Sequence, residues 1–384
     1  MNTVQKIFAV NFLNGLVFWY GIEKLFMRSI GISTFGISII ATELLIITLL
    51  IDIPSGIMAD RWSRKYTLVL GLLSLAIATV IYGTSSSLFT YIVGTVPYGL
   101  FLTFLSGAFA ALTYDALLEQ KREAEYAKVQ GFSYGLFCVG MFVASVFSGV
   151  LATHFSLRQP YFISIVPISI AIGLLFSIKE PPLHKSTSKI SVLSHFSESV
   201  SIIRLQPALL YIVMIGICIS AINNLQTEYG SLYYIGLGLN ATLIGIAYGL
   251  QSLARAGGQM LAHKIGRAAF RYLPLLALGL GFSSLLPSKF TSLVFFLTVF
   301  LVGAIQNQTD VAVQNATPSH ARATVGSVVN FLANIVLIPI GLIFGWIARI
   351  GSIFHSFQLV FAISLIGYAL WLVYSNKFQK GEVA

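Results

Sequence analysis

The stretch Asp52–Gly71, DIPSGIMADRWSRKYTLVLG, places four charged residues within six positions between two long apolar runs. Asp60, Arg61, Arg64 and Lys65 bring both signs of charge into one short bend. Lysine and arginine beside an apolar run act as topology signals in membrane proteins. That interpretation explains the cations, but it gives no reason for a glycine four residues before the aspartate.

The composition indicates whether most of the chain is surrounded by water or by lipid. Of the 384 residues, 57% are hydrophobic and 9% are charged, whereas soluble domains have about 25% charged residues. A soluble fold of this composition would expose apolar patches that monomers do not tolerate, so we predict a membrane protein. The net charge of +10 is spread in short groups, and we predict no nucleic-acid partner. The two cysteines form no metal-like or redox motif, and no cofactor is expected.

Apolar runs long enough to cross a bilayer, which takes about 20 residues, occur twelve times. They lie near 7–27, 36–58, 66–84, 88–116, 129–153, 159–178, 207–228, 240–262, 272–287, 291–316, 324–348 and 352–375. The spacing predicts an N-terminal bundle at 1–178, a cytoplasmic linker at 179–206 and a C-terminal bundle at 207–384. Within the linker, apolar residues at helical spacing from Ile190 to Ile203 predict a helix in the membrane interface.

Basic residues set the orientation. With the N-terminus inside, 17 of the 23 Lys and Arg residues fall on the inner side, as the positive-inside rule requires. We therefore predict a multi-pass protein of the cell membrane with both termini in the cytoplasm. Small residues recur every four positions in the fifth and eighth spans, which predicts tight helix packing. They are Gly140, Ala144, Ser148 and Ala152, and then Ala241, Gly245 and Gly249.

The two halves also share a local pattern. A shift of 203 residues aligns ADRWSR, residues Ala59–Arg64, with AHKIGR, residues Ala262–Arg267. Duplicated bundles of this kind are typical of secondary transporters.

The segment GIMADRWSRK resembles the helix 2–3 motif of the major facilitator superfamily, with Ser63 in place of the usual glycine. PSHARATVGSVVN, residues Pro318–Asn330, is similar to a stretch in drug-exporter-like members. The resemblance covers the whole chain and implies an all-α membrane protein of twelve transmembrane helices in two pseudo-symmetric six-helix bundles.

The resemblance also implies a role for the charged bend. In such proteins the aspartate packs near the positive N-terminal end of helix 11, and the arginine pairs with an acid on helix 4. The expected conformational gate consists of Gly56, Asp60, Arg61, Arg64 and Lys65 together with Asp115. This chain lacks the helix 4 arginine and the helix 5 glycine-proline pair of proton-coupled antiporters, which leaves the direction of transport and the coupling open.

A charge near mid-bilayer costs about 2.5–3.5 kcal/mol, so each such residue should have a partner or a function. The candidates for proton coupling or substrate binding are Glu23, Glu43, Asp52, Glu228, Arg255, Asp310 and Asn307. The alternatives are structural pairing for Glu43 and Asp310, and a role in the gate for Asp52. They also include surface pairing for Glu23 with Lys24 and Arg28, a loop-edge position for Glu228, and a structural role for Arg255 or its pairing with Asp310. Five aromatic residues are expected as lipid-facing or interfacial anchors, with the lining of an amphipathic cavity as the alternative: Trp19, Tyr20, Tyr233, Tyr234 and Tyr248.

These features predict a secondary transporter that works by alternating access. Its expected partners are a small-molecule substrate, protons and the lipid bilayer, and it is expected to be monomeric. Proton-coupled export of amphipathic or drug-like compounds is the leading hypothesis. Proton-linked uptake of a polar nutrient and a non-transporting receptor role are the alternatives. An enzyme is not expected, since no nucleophile–base set, metal spacing or phosphate-binding loop is present.

Overall fold

A computed structural model describes residues 3–180, 200–317 and 322–379, and these residues form helices and loops without a β-strand. The helices are α1 (Thr3–Gly15), α2 (Glu23–Ser29), α3 (Thr34–Arg61), α4 (Arg64–Thr84), α5 (Leu88–Glu119), α6 (Tyr126–His154), α7 (Gln159–Phe176), α8 (200–205), α9 (Pro207–Gly236), α10 (Ala241–Ile265), α11 (Leu273–Leu285), α12 (Thr291–Ala316), α13 (Arg322–Ile350) and α14 (Ile353–Tyr374). Serine caps begin four of them, since a serine hydroxyl accepts from an unpaired N–H of the first turn. These caps are Ser33, Ser63, Ser87 and Ser352.

Ten of the twelve predicted spans coincide with helices long and apolar enough to cross a membrane. The two others fall on α1 with α2, and on α10. Helix α10 has the required length, 25 residues, but Gln251, Arg255 and Gln259 follow one another at four-residue intervals and lower its hydropathy.

The first predicted span, 7–27, is not a continuous helix. Helix α1 ends at Gly15 and α2 begins at Glu23. Between them, the Phe18 N–H donates to Ser164 Oγ at 2.9 Å instead of an intrahelical carbonyl. A Cβ on Gly15 would lie 2.3 Å from the Phe137 carbonyl oxygen, so a close contact with α6 accompanies the end of α1.

The chain divides into two compact units, Met1–Thr187 with Gly238–Leu253, and Ser188–Leu237 with Ala254–Ala384. They differ from the predicted bundles mainly at residues 238–253, the first part of α10. In the first unit α4 packs on α5 and α7, and α1 packs on α6 and α7. In the second unit α11 packs on α12 and α14, and α9 packs on α13 and α14. The same four pairings therefore recur in both units, as a duplicated bundle requires.

Most of the predicted linker helix, residues 181–199, lies outside the described part of the chain. Its end is present as α8. Ile203 is buried within the second unit, in a cluster with Leu209, Ile212, Val213, Val313, Val325 and Val328. Burial against protein side chains fixes this end of the linker to its own unit.

Candidate functional site

The charged bend joins α3 to α4 through two residues. Trp62 ends α3, and Ser63 begins α4 by accepting a hydrogen bond from the Tyr66 N–H at 3.0 Å. The serine that replaces the family glycine is therefore a helix cap, and it is buried, at 4% exposure.

The predicted pairing of Arg64 with Asp115 is present. The guanidinium Nη1 donates to the Asp115 carboxylate and lies 3.4 Å from the Ala111 carbonyl oxygen, so it holds the start of α4 against α5. The two side chains are only 15% and 10% exposed. A pair this sheltered is screened little by salt.

A second carboxylate, that of Glu180, also contacts the bend. Glu180, just beyond α7, accepts hydrogen bonds from Ser63 Oγ and from the Lys65 N–H at 3.1 Å. A carboxylate is favourable there because the N-terminus of a helix carries partial positive charge. The Lys65 ammonium in turn donates to the carbonyl oxygens of Phe176 and Ile178, both at 2.8 Å. These contacts connect the first turn of α4 to the end of α7.

Three other predicted gate residues have different outcomes. Arg61 is exposed. The side chain of Asp60 lies outside the described part of the structure. Gly56 has open space beside it, because a Cβ built on it would meet none of the described atoms within 4 Å.

Glu23 lies in a buried network and not on the surface that its charged neighbours suggested. Its carboxylate accepts from Lys24 Nζ at 3.0 Å and from the Tyr91 hydroxyl at 3.0 Å. The Tyr91 and Tyr161 hydroxyls are 3.2 Å apart. The exposed fraction is 16% for the Glu23 side chain and 7% for that of Lys24.

Aromatic rings surround this network. Trp19 stacks on Tyr161 with ring centroids 5.4 Å apart, and Tyr82 stacks on Tyr91 at 4.1 Å. The prediction of interfacial anchors is wrong for Trp19, Tyr233 and Tyr234, which are fully buried. Their rings pack against other aromatic rings in the interior of their own units, for example Tyr233 on Phe295 at 4.7 Å.

The acids of α3 have contrasting environments. Glu43 is half-buried, and its Oε2 atom is buried without a hydrogen-bond partner among the described residues. Asp52 is exposed, nine residues further along the same helix. Buried polar atoms are nearly always paired, so the Glu43 oxygen requires an explanation.

The second unit has a short polar row. Asp310 on α12 is exposed and accepts from Gln306 Nε2 at 3.1 Å, while the Gln306 oxygen accepts from Ser220 Oγ on α9 at 3.3 Å. Asn307 is half-buried beside them. No basic side chain in the described ranges pairs with Asp310, so the predicted pairing with Arg255 is wrong for this structure.

Arg255 and Glu228 occupy positions within helices. Arg255 is half-buried on α10, at a close contact where a Cβ on Gly303 would lie 2.5 Å from its carbonyl oxygen. Glu228 was considered a loop-edge residue, but α9 continues eight residues beyond it and its side chain is half-buried.

The predicted tight packing of small residues is confirmed, with its partners now assigned. A Cβ on Gly140 would lie 2.5 Å from the Phe12 oxygen of α1. On α10, a Cβ on Gly245 would lie 2.3 Å from the Ser145 oxygen, and one on Gly149 of α6 would lie 2.5 Å from the Ala241 oxygen. The predicted row on α6 therefore faces α1 at Gly140, and the adjacent positions contact the start of α10.

Sequence analysis missed Glu180 and the tyrosine partners of Glu23. Glu180 follows a span and precedes two prolines, and nothing local indicates that it reaches Ser63. Tyr91 and Tyr161 lie in different spans from Glu23. Only Ser63 was a usable signal, because a serine shortly before an apolar run is typical of a helix cap.

Comparison with known proteins places these features in a family. The model of the Major Facilitator Superfamily matches residues 7–342. The chain belongs to the major facilitator superfamily. An uncharacterized MFS-type transporter of Methanocaldococcus jannaschii is 22% identical over 179 residues, which are 46% of this chain and 45% of that protein. The chain thus spans less than half the length of this relative.

Solved structures of other transporters share the fold of this superfamily member. The nucleoside transporter NupG, as its D323A mutant, is similar with a TM-score of 0.80 at 12% identity, over 97% of this chain and 100% of that chain. A bacterial homologue of the human lysosomal transporter Spinster has a TM-score of 0.74 at 14% identity, over 98% and 96%. The D-xylose-proton symporter has a TM-score of 0.70 at 14% identity, over 96% and 98%. By family the protein is a multi-pass membrane protein, and neither the family nor the similar structures point to an enzyme.

Proposed function

We propose that this protein is a proton-coupled secondary transporter that exports small amphipathic or drug-like compounds by alternating access. The observation that carries the proton coupling is the buried Glu43 Oε2 atom, which has no partner among the described residues. A charged carboxylate without a partner in an apolar environment is costly. Protonation removes that charge, so Glu43 is suited to bind a proton in one conformation and release it in another.

Asp310 is the second member of the proposed coupling pair. It is exposed on a membrane-spanning helix, and its described hydrogen-bond partner is the neutral amide of Gln306. Acids inside membrane-spanning segments are expected to have functional roles. The amides of Gln306 and Asn307 next to it provide both donors and acceptors for a substrate.

The available driving force is sufficient for such coupling. A membrane potential supplies about 2.3 kcal/mol per elementary charge per 100 mV, and each pH unit adds about 1.36 kcal/mol. One proton per cycle can therefore maintain roughly a hundredfold gradient of substrate at ordinary gradients.

The bend around Arg64 is the proposed gate. Its ion pair with Asp115 and the contacts of Glu180 with Ser63 and Lys65 give the first turn of α4 a defined position. In the proposed cycle these contacts keep the protein in one conformation until substrate and proton have been exchanged.

The alternative function is proton-linked uptake of a polar solute. The polar row of Ser220, Gln306 and Asp310 favours it, because three hydrogen-bonding groups in sequence suit a polar ligand. The printed names of the similar structures include a nucleoside transporter and a D-xylose-proton symporter. Both functions use the same coupling residues and differ in the direction of substrate movement.

The test uses inside-out membrane vesicles that respiration acidifies, with a dye that reports the internal pH. A panel of lipophilic cations, zwitterionic antibiotics, sugars and nucleosides is added, and vesicles without the protein serve as the control. Export predicts a protein-dependent loss of the acid gradient with one compound class. If no compound of that panel reduces the acid gradient and a solute accumulates with protons in right-side-out vesicles, the function is uptake and not export.

Two variants test the coupling residues. Glu43→Gln and Asp310→Asn keep the side-chain shape but do not bind a proton, so we expect gradient-driven transport to be lost while exchange of labelled for unlabelled substrate continues. Glu123→Gln, in the short 3₁₀ turn between α5 and α6, is the matched control and should behave as the wild type. Full gradient-driven transport in both test variants would contradict the assignment of the coupling residues.

A further inference from the structure

Three aromatic side chains form an exposed cluster beside the charged bend. They are Trp62 at the end of α3, Tyr66 in the first turn of α4, and Phe176, the last residue of α7. The Trp62 and Tyr66 rings stack with their centroids 5.8 Å apart, and the Tyr66 and Phe176 rings meet edge to face at 6.4 Å. Their exposed fractions are 53%, 43% and 53% in that order. The ends of three helices thus bring large rings together at the surface of the first unit.

The cluster lies where membrane-spanning segments begin and end. Helix α4 is long and apolar enough to cross a membrane from Arg64 onward, and α7 is so up to Phe176. The cluster is therefore at the boundary between the hydrocarbon and the lipid headgroups. Tryptophan and tyrosine are enriched at that boundary, because their rings suit its apolar side and their N–H and O–H groups suit its polar side.

Arg61, the residue directly before Trp62, is a cation of the bend that the protein leaves unused. Arg64 is paired with Asp115, and the Lys65 ammonium donates to two carbonyl oxygens at the end of α7. Arg61 is exposed, and it has no hydrogen-bond or ion-pair partner among the residues that the structure describes. A guanidinium presents its donors in one plane and can bind two oxygens of a phosphate together.

Lys65 adds positive charge beside the rings. Its ammonium lies 5.5 Å from the Tyr66 ring centroid. The oxygens that it contacts belong to neutral carbonyl groups, and the Glu180 carboxylate contacts its backbone N–H instead, at 3.1 Å. An anion next to the rings is therefore attracted from two sides. The ammonium group of a zwitterionic lipid gains nothing there.

We propose that Arg61, Trp62 and Tyr66 form a binding site for the headgroup of an anionic phospholipid. Its phosphate contacts the Arg61 guanidinium, and the ester region between headgroup and chains lies along the two rings. The site goes beyond the proposed transport function, because this lipid is neither the substrate nor the coupling ion. A lipid held there contacts the last residue of α3 and the first turn of α4, so it braces the bend that forms the proposed gate.

Trp62 is the reporter in the test. The chain has four tryptophans, so the fluorescence of Trp62→Phe is subtracted from that of the wild type to leave the Trp62 signal. The full-length protein is reconstituted into bilayers of equal amounts of phosphatidylglycerol and phosphatidylcholine. Bromine atoms, which quench nearby tryptophan, are placed on the chains of one lipid or of the other. The two quenching efficiencies together give the lipid composition next to Trp62.

We expect phosphatidylglycerol to be enriched at least about fivefold over phosphatidylcholine next to Trp62, as one basic residue near a membrane surface provides. Arg61→Gln removes the charge, so the enrichment should fall most of the way to an equal ratio. Arg61→Lys keeps the charge without the planar donors, so it should retain part of the enrichment. Arg28→Gln is the matched control, because it removes an exposed arginine from the end of α2. It should leave the enrichment unchanged.

Equal quenching by the two lipids in the wild type would overturn the site and leave Trp62 as an anchor without headgroup preference. Trp62 that neither lipid quenches would also overturn it, because the cluster would then lie outside the membrane. An equal loss of enrichment in Arg28→Gln and Arg61→Gln would show attraction by net charge and not by a defined site.

The substituted side chains are exposed, so these variants remove no buried contact. If Trp62→Phe nevertheless fails to fold, Trp62→Tyr provides the same subtraction. The quenching needs neither a substrate nor a gradient. The export assay can therefore fail while the lipid site remains, and equal quenching can overturn the site while transport continues.

Discussion

A methyl group added at Gly149 should weaken the contact between α6 and the start of α10. The Cβ of alanine would lie 2.5 Å from the Ala241 carbonyl oxygen and 2.8 Å from the Thr242 Cα atom. Both atoms belong to the backbone, so the contact cannot be relieved by rotating a side chain. One helix must move away from the other or bend.

The size of the effect follows from a comparison with Gly135, on the same helix. A Cβ on Gly135 would meet none of the described atoms within 4 Å. Both substitutions gain about 0.5–1 kcal/mol because alanine favours a helix over glycine. Only Gly149→Ala adds overpacking, which costs typically about 1–3 kcal/mol. We therefore expect its free energy of unfolding to fall about 1–3 kcal/mol below that of Gly135→Ala.

The free energy of unfolding is measured by titrating purified protein from mild detergent into sodium dodecyl sulfate, with circular dichroism as the signal. Gly135→Ala should be as stable as the wild type or more stable. If Gly149→Ala is as stable as Gly135→Ala, the close approach of α6 and α10 does not exist in solution. The assignment of residues 238–253 to the first unit would then be incorrect.

Three further predictions concern the charged residues at the α3–α4 and α5–α6 connections. Arg64→Gln and Asp115→Asn should each slow transport while the protein stays inserted, and a double-mutant cycle on the free energy of unfolding should give a coupling of about 0.5–3 kcal/mol. Ser63→Gly should cost about 1.5–3 kcal/mol, mainly through the lost hydrogen bond to Glu180, whereas Ser63→Thr should preserve stability in the same titration. The Arg122 guanidinium lowers the pKa of the exposed Glu125 carboxyl, so this pair stabilises the fold above the unfolded pKa of that carboxyl and loses the contribution as the pH falls through its folded pKa. Glu125→Gln should slightly reduce the loss of stability on acidification. In a variant that already lacks Arg122, the same substitution should cause no change in that loss.

The number and order of most helices could be predicted because apolar runs of about 20 residues have few alternatives in a membrane. The interruption of the first span was not predictable from hydropathy. Residues 16–22 are as apolar as their neighbours, and the backbone there is held by Ser164, a residue almost 150 positions away. Helix α10 was predicted correctly as a helix, but its polar residues Gln251, Arg255 and Gln259 lower its mean hydropathy below that of a typical membrane span.

The candidate site was predictable where its residues belong to one motif. Arg64 and its partner Asp115 were found through the family resemblance, which carries information about contacts between spans. Glu23 was identified as a charged residue in a span, but its burial depends on Tyr91 and Tyr161, which come from α5 and α7. A single sequence does not show which spans adjoin, so the aromatic surroundings of the pair could not be derived from it.

Three of the acids in or beside the predicted spans differ in what protonation would do to them. A proton on Glu23 would remove the charge that balances the buried ammonium of Lys24, so this carboxylate is poorly suited to carry protons while the pair is intact. A proton on Glu43 leaves no cation stranded, because no described residue pairs with its buried oxygen. Asp310 loses only the bond from a neutral amide. The proposed proton binding therefore falls on Glu43 and Asp310 and not on Glu23.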